Sequence, residues 1–149
     1  MRIYVDTSVY GGKFDEEFKK VSEIFFNQVK TGQFKLVTSA LVQEEMVQAP
    51  QEVRELFDSM LSETEFIQIT DQALSLREAY LRGKIVSSKY SDDALHVALA
   101  TISDCSSIVS WNFKHIVHAQ KIPLYNAVNL LNGFKQIAIY SPMEVIAYD

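Results

Sequence analysis

Arg2-Ile3-Tyr4-Val5-Asp6 is a run of β-formers that ends on an acid, and its reading decides the fold. A strand without polar alternation is buried on both faces, as in a parallel sheet covered by helices. Related placements recur along the chain. Glu44 follows the strand-like Phe34-Lys35-Leu36-Val37-Thr38-Ser39, and Asp93 opens the apolar helical stretch Asp93-Ala94-Leu95-His96-Val97-Ala98-Leu99-Ala100. Asn112 follows Ser107-Ile108-Val109-Ser110-Trp111. In an open parallel sheet such positions gather at the carboxyl edge of the strands, where these folds bind ligands. Carboxylates held together there repel one another unless a cation neutralises them. Hard oxygen donors point to Mg²⁺ or Mn²⁺.

The rest of the chain reads as strands alternating with helices. Residues 2–6 and 34–38 are strands, and Gly11-Gly12 marks a loop between them. Phe18, Val21, Phe25 and Val29 recur at helical spacing, with Gly32 as a stop signal. Ser39 suits the N-cap of the helix that carries Glu44, and Pro50 suits a helix start. Val53, Leu56, Phe57, Met60 and Leu61 then form a core-facing stripe. Phe66–Ile69 is a short strand candidate, a helix runs from about Asp71 to Gly83, and Ser91 caps the next helix. Residues 107–111 form a strand, helical segments follow to about Leu131, and Ile137–Tyr140 is the last strand. This order implies βαβ units with right-handed crossovers. The expected architecture is a three-layer α/β/α sandwich around a mainly parallel sheet, one domain over residues 1–149.

Composition narrows the function. Hydrophobic residues make up 48% of the 149, enough for a sizeable core, yet no apolar stretch is long enough to span a bilayer. The strand begins at once, so no signal peptide is expected, and a lone Cys105 permits no intramolecular disulfide. A cytoplasmic location is expected. The net charge of −5 argues against a pure nucleic-acid-binding module. A nucleic-acid substrate must be met by a local basic patch, a bound cation or a partner.

Each constellation also has a purely structural explanation. Asp6-Thr7-Ser8 offers a metal ligand and an orienting hydroxyl, but such residues also favour a capped turn after a strand. Glu44 and Glu45 are helix neighbours and cannot share a face, so one can line a cleft while the other is solvated. Asp92 and Asp93 both suit the positive end of a helix. The helix behind Asp93 is nearly all apolar and therefore buried, and a carboxylate at its start needs a partner or a metal. Asn112 is either a helix cap or a cleft residue. Lys114 and His115 can reach a phosphate or leaving group or can lie idle on the surface, and His96 can orient a carboxylate or simply pack. The Walker and G-x-G-x-x-G fingerprints and the G-x-S-x-G elbow are absent. A phosphatase with Asp6 as nucleophile is conceivable, although Ser8 stands where D-x-D phosphatases carry a second acid.

Together these residues resemble the PIN-domain family, especially the VapC-type toxin ribonucleases of bacterial toxin–antitoxin pairs. Asp6-Thr7-Ser8 matches the family's opening D-T-S, Ser39 and Glu44 match its second motif, and Asp93-Ala94-Leu95-His96-Val97-Ala98 matches its D-A-L-h-x-A. The fourth motif, usually T-x-D after a strand, is Ser110-Trp111-Asn112 here. The resemblance covers nearly the whole chain, and its third motif is the most specific. It implies a metal-dependent endoribonuclease acting on single-stranded RNA, often a homodimer, with a cognate antitoxin and no membrane association. Carried over residue by residue, Asp6, Glu44, Asp93 and Asn112 are the catalytic positions. Asp6, Asp93 and Glu44 hold Mg²⁺ or Mn²⁺, and Ser8, Ser110 and Lys114 position substrate. Asn112 brings no charge, so three carboxylates should hold cation more weakly than four. A catalytically weak RNA-binding or protein-interaction module is the competing reading.

Overall fold

The computed structural model describes residues 1–147. In chain order its elements are β1 (Arg2–Val5), α1 (Thr7–Gly12), α2 (Lys19–Lys30), β2 (Lys35–Ser39), α3 (Ala40–Met46), α4 (Gln51–Met60), β3 (Glu65–Ile67), α5 (Asp71–Arg82), α6 (Ser91–Ile102), β4 (Ser107–Val109), α7 (Ile122–Leu131), β5 (Ala138–Tyr140) and α8 (Pro142–Val145). The five strands form one parallel sheet in the order β3-β2-β1-β4-β5. The sequence order therefore reverses at β1, with β2 on one side and β4 on the other. In a doubly wound sheet that switch point opens a crevice at the carboxyl ends of the strands. Asp6, one residue beyond β1, stands at it.

The expected α/β architecture with a parallel sheet flanked by helices is present. Ile3, Tyr4, Val5, Leu36, Val37, Ile108 and Val109 are fully buried, because helices cover both faces of the central strands. Helix α6 is buried from Ala94 through Ala100, and Ser39 caps α3 by accepting a hydrogen bond from the Val42 amide at 3.3 Å.

Two local expectations change. Gly11 and Gly12 are not a loop but the end of α1. A Cβ on Gly12 would stand 2.6 Å from Trp111 Nε1 and 2.8 Å from Ser22 Oγ, so the position serves close helix packing. Ser91 is not the N-cap of α6 but its first residue. A single 3-10 turn, Ser88–Tyr90, runs directly into the helix and takes the place of a side-chain cap.

Candidate functional site

Asp6, Thr7, Ser8, Glu45, Gln48, Asp93, His96 and Asn112 line a cleft of about 420 Å³ at the carboxyl edge of the sheet. Asp6 is almost wholly buried. Ser8 Oγ donates to its Oδ1 at 2.6 Å and Ser110 Oγ donates to its Oδ2 at 2.7 Å. Each serine oxygen in turn accepts a backbone amide, Ser8 from Trp111 at 2.9 Å and Ser110 from Asn112 at 2.9 Å. Both hydroxyl protons are therefore committed to Asp6. Burial pushes the Asp6 carboxyl above its usual range, against the opposing pull of His96 and the two serines, and nearby Glu45 adds to the rise.

Glu45 is fixed from the opposite side. Its Oε1 accepts from Thr7 Oγ1 at 2.5 Å and lies 2.7 Å from His96 Nε2. His96 is buried. Its Nδ1 is 2.8 Å from the Tyr4 hydroxyl, which is 2.8 Å from Ser39 Oγ. Burial opposes a charge on His96, but the hydrogen bond and charge of Glu45 prevail and hold its pKa above the ordinary value. With His96 protonated, Nε2–H donates to Glu45, Nδ1–H donates to Tyr4, and Tyr4 donates to Ser39. Glu45 is itself partly buried, which alone would raise its pKa. The bonds from His96 and Thr7 reverse that and keep it low.

Asp93 is half-buried at the start of α6 and lines the same cleft as Asn112. Burial raises its pKa, partly offset by Asn112 and by His115 and His96. The Asn112 amide oxygen accepts the backbone N–H groups of His115 at 2.9 Å and Lys114 at 3.2 Å. That oxygen caps the turn after β4.

No protein-family model matches the chain, and no curated protein matches it. Solved structures do. A chain of VapBC2 from Rickettsia felis, bound to a DNA fragment from its promoter, is 14% identical over 95% of this chain and 98% of its own, with a TM-score of 0.55. FitAcB from Neisseria gonorrhoeae is 10% identical over 96% and 99%, with a TM-score of 0.58. FitAB bound to an IR36 DNA fragment is 11% identical over 99% of both chains, with a TM-score of 0.61. The fold is PIN-like. At these identities the likeness is one of fold.

Within this PIN-like frame the structure gathers Asp6, Asp93 and Asn112 in one cleft, with Ser8 at its wall and Ser110 beneath Asp6. It does not bring Glu44 there. Glu44 is exposed, and Glu45 lines the cleft instead. At 3.6 residues per turn, Glu45 falls between the buried Leu41 and Val42 around α3, whereas Glu44 falls outside that face. Asp92 is exposed. Ser8 and Ser110, expected to position substrate, have their protons turned to Asp6. Lys114 is exposed beside the cleft rather than in its wall. Tyr4 and His96 are the site residues that sequence reasoning undervalued. The signal was a polar aromatic between Ile3 and Val5 in a buried strand and a histidine one turn from Asp93.

Among the described residues no three Asp, Glu, His or Cys side chains form a cage that could hold a metal by themselves. Glu45 is drawn toward Thr7 and His96, which leaves Asp6 and Asp93 as the available carboxylates. Mg²⁺ does not require a cage. It binds through one or two carboxylates and keeps several waters, to be completed by substrate phosphate. Two carboxylates whose burial disfavours their charged forms fit that demand.

Proposed function

We propose that the protein is a Mg²⁺- or Mn²⁺-dependent endoribonuclease of single-stranded RNA and the toxin of a toxin–antitoxin pair. The observation that carries this reading is the meeting of Asp6, Glu45 and Asp93 in one cleft at the switch point of a PIN-like sheet. Asp6 and Asp93 hold the cation, and Ser8 and Ser110 orient Asp6 for it. When bound, the cation lowers the pKa of water and offsets charge at the phosphoryl group. Among the described residues no partner bonds Glu45 Oε2, which is the group to receive the proton of the attacking water. The water oxygen forms the new P–O bond, the bond to the leaving oxygen breaks, and solvent returns a proton to that oxygen. The Asn112 oxygen is taken up by the backbone amides of Lys114 and His115 rather than ligating.

The antitoxin partner is proposed because the fold neighbours are VapBC and FitAB complexes. A homodimer is proposed because Leu124, Ala127, Val128 and Leu131 form a stripe on α7, a helix with no charged residue, and Leu124 and Leu131 are well exposed. No helix among the described residues is long and apolar enough to cross a membrane, and we place the protein in the cytoplasm.

The purified protein, free of any partner, is expected to cleave single-stranded RNA with Mn²⁺ and to lose that activity in EDTA. Asp93→Asn should lose it too, and cleavage that survives this substitution refutes the reading. The lack of a three-ligand cage favours a second reading, a catalytically weak RNA-binding or protein-interaction module. A scaffold of that kind shows the same melting temperature with and without Mn²⁺.

A further inference from the structure

We infer that Lys89 and Lys114 together grip the backbone of the single-stranded RNA on the Asp93 side of the cleft, while Phe113 stacks on a neighbouring base; the inference rests on the ribonuclease reading above. A chain of net charge −5 needs local cations to receive a polyanion. Lys89 Nζ is 5.6 Å and Lys114 Nζ 5.7 Å from the centre of the same Tyr90 ring. Both lysines are exposed, and among the described residues neither forms an ion pair. Two like charges drawn to one ring repel each other, and a phosphate relieves that repulsion.

Their placement ties them to the chemistry. Tyr90 ends the turn that leads into α6, three residues before Asp93. Lys114 lies two residues after Asn112, which lines the same cleft as Asp93. The two ammonium groups thus come from the two segments that bring Asp93 and Asn112 to the cleft. Tyr90 is itself fixed, stacked on His115 with ring centres 3.9 Å apart.

Phe113 lies between Asn112 and Lys114 and is 42% exposed. Behind it stand Trp111 at 6.0 Å and Phe18 at 6.2 Å between ring centres. Phe18 and Trp111 are stacked at 4.1 Å, and Trp111 Nε1 donates to Ser22 Oγ at 2.9 Å. An exposed ring on a braced aromatic support gives an unpaired base a stacking face at little entropic cost, without sequence preference. A duplex, whose bases are already stacked, gains nothing from it, so the site suits a single strand.

The test measures affinity for a short labelled single-stranded RNA of mixed sequence in EDTA, across a salt series, alongside Mn²⁺-dependent cleavage by the same proteins. Lys89→Ala with Lys114→Ala should weaken binding and flatten the slope of log affinity against log salt by about 1.4, two phosphate contacts at roughly 0.7 each. Arginine at both positions should restore the slope. Phe113→Ala should weaken binding roughly tenfold and leave the slope unchanged. An unchanged slope in the double lysine variant overturns the inference, even where cleavage by the wild type shows the ribonuclease reading to be sound. Tighter binding of duplex DNA than of RNA also overturns it. Failure of the wild type to bind or cleave RNA removes both readings together.

Discussion

Glu45 on α3 and His96 on α6 meet at 2.7 Å, across the cleft-facing end of the sheet. The carboxylate that faces the site is thereby anchored to a histidine buried in the core, and that histidine to Tyr4 on the central strand. The cleft is braced from beneath rather than laid on the surface.

Exchanging the two adjacent glutamates separately should give opposite results. Glu45→Ala leaves His96 without its partner and should destabilise the protein by on the order of 2 kcal/mol, the scale for orphaning a buried polar group. It should also abolish cleavage. Glu44→Ala removes an exposed side chain and should change neither urea unfolding nor cleavage. Equal effects at both positions refute the assignment of Glu45.

The same pair sets a pH window. The lowered pKa of Glu45 contributes stability above the ordinary glutamate value of 4.5, lost as pH falls through its folded value. The raised pKa of His96 contributes stability below the ordinary 6.5, lost as pH rises through its folded value. Metal-free wild type should therefore exceed His96→Asn in stability most between those two values. A stability difference that is flat with pH removes the charged pair.

Asp6 carries the opposite sign. Its folded pKa is raised, so its contribution is fully present below the ordinary value of 3.8 and is lost as pH rises through the folded value. At neutral pH its ionised form is a burden on the metal-free protein. Asp6→Asn should melt higher than wild type at pH 7 in EDTA, with the gap closing as pH falls. With millimolar Mn²⁺ only wild type should gain. A Mn²⁺ shift of equal size in both proteins excludes Asp6 as a ligand.

Asn112→Asp preserves an oxygen for the amides of Lys114 and His115 but adds a carboxylate to the cleft that already holds Asp6 and Asp93. Metal-free, the substitution should lower the melting temperature. With Mn²⁺ the added charge should turn that loss into a larger metal-induced gain than wild type shows. If neither melt moves, Asn112 contributes only its cap.

Gly12→Ala drives a methyl group against the Trp111 ring, at 2.6 Å in the unrelaxed geometry. It should cost about 1–3 kcal/mol in denaturant unfolding. It should also weaken the Trp111–Ser22 bond, visible as a change in tryptophan fluorescence. Wild-type stability and emission in this variant contradict the packing described.

The alternation of buried strands and amphipathic helices was legible because each carries its own period. Asp6, Asp93 and the Ser39 cap were legible because a strand end or a helix start fixes where they stand. The choice between Glu44 and Glu45 could have been read from the buried face set by Leu41, Val42 and Met46. A match to a family motif overrode that geometry. The Ser110 bond to Asp6 and the Tyr4–His96 contact join residues about a hundred positions apart, which no local pattern records. Gly12 misled because a glycine pair marks a turn by propensity, while here it marks a close approach to a ring not yet placed.

The reversal of strand order at β1 also has a consequence for synthesis. β1 is made first, yet one of its two neighbours, β4, lies at residues 107–109. Until the ribosome has extruded that stretch, the central strand has an open side and Asp6 lacks the hydroxyl of Ser110. On the proposed ribonuclease reading, a nascent chain with Asp6, Glu45 and Asp93 already outside the tunnel should still be inert. Activity against the surrounding RNA should, on that reading, arrive only once the last third of the chain is free.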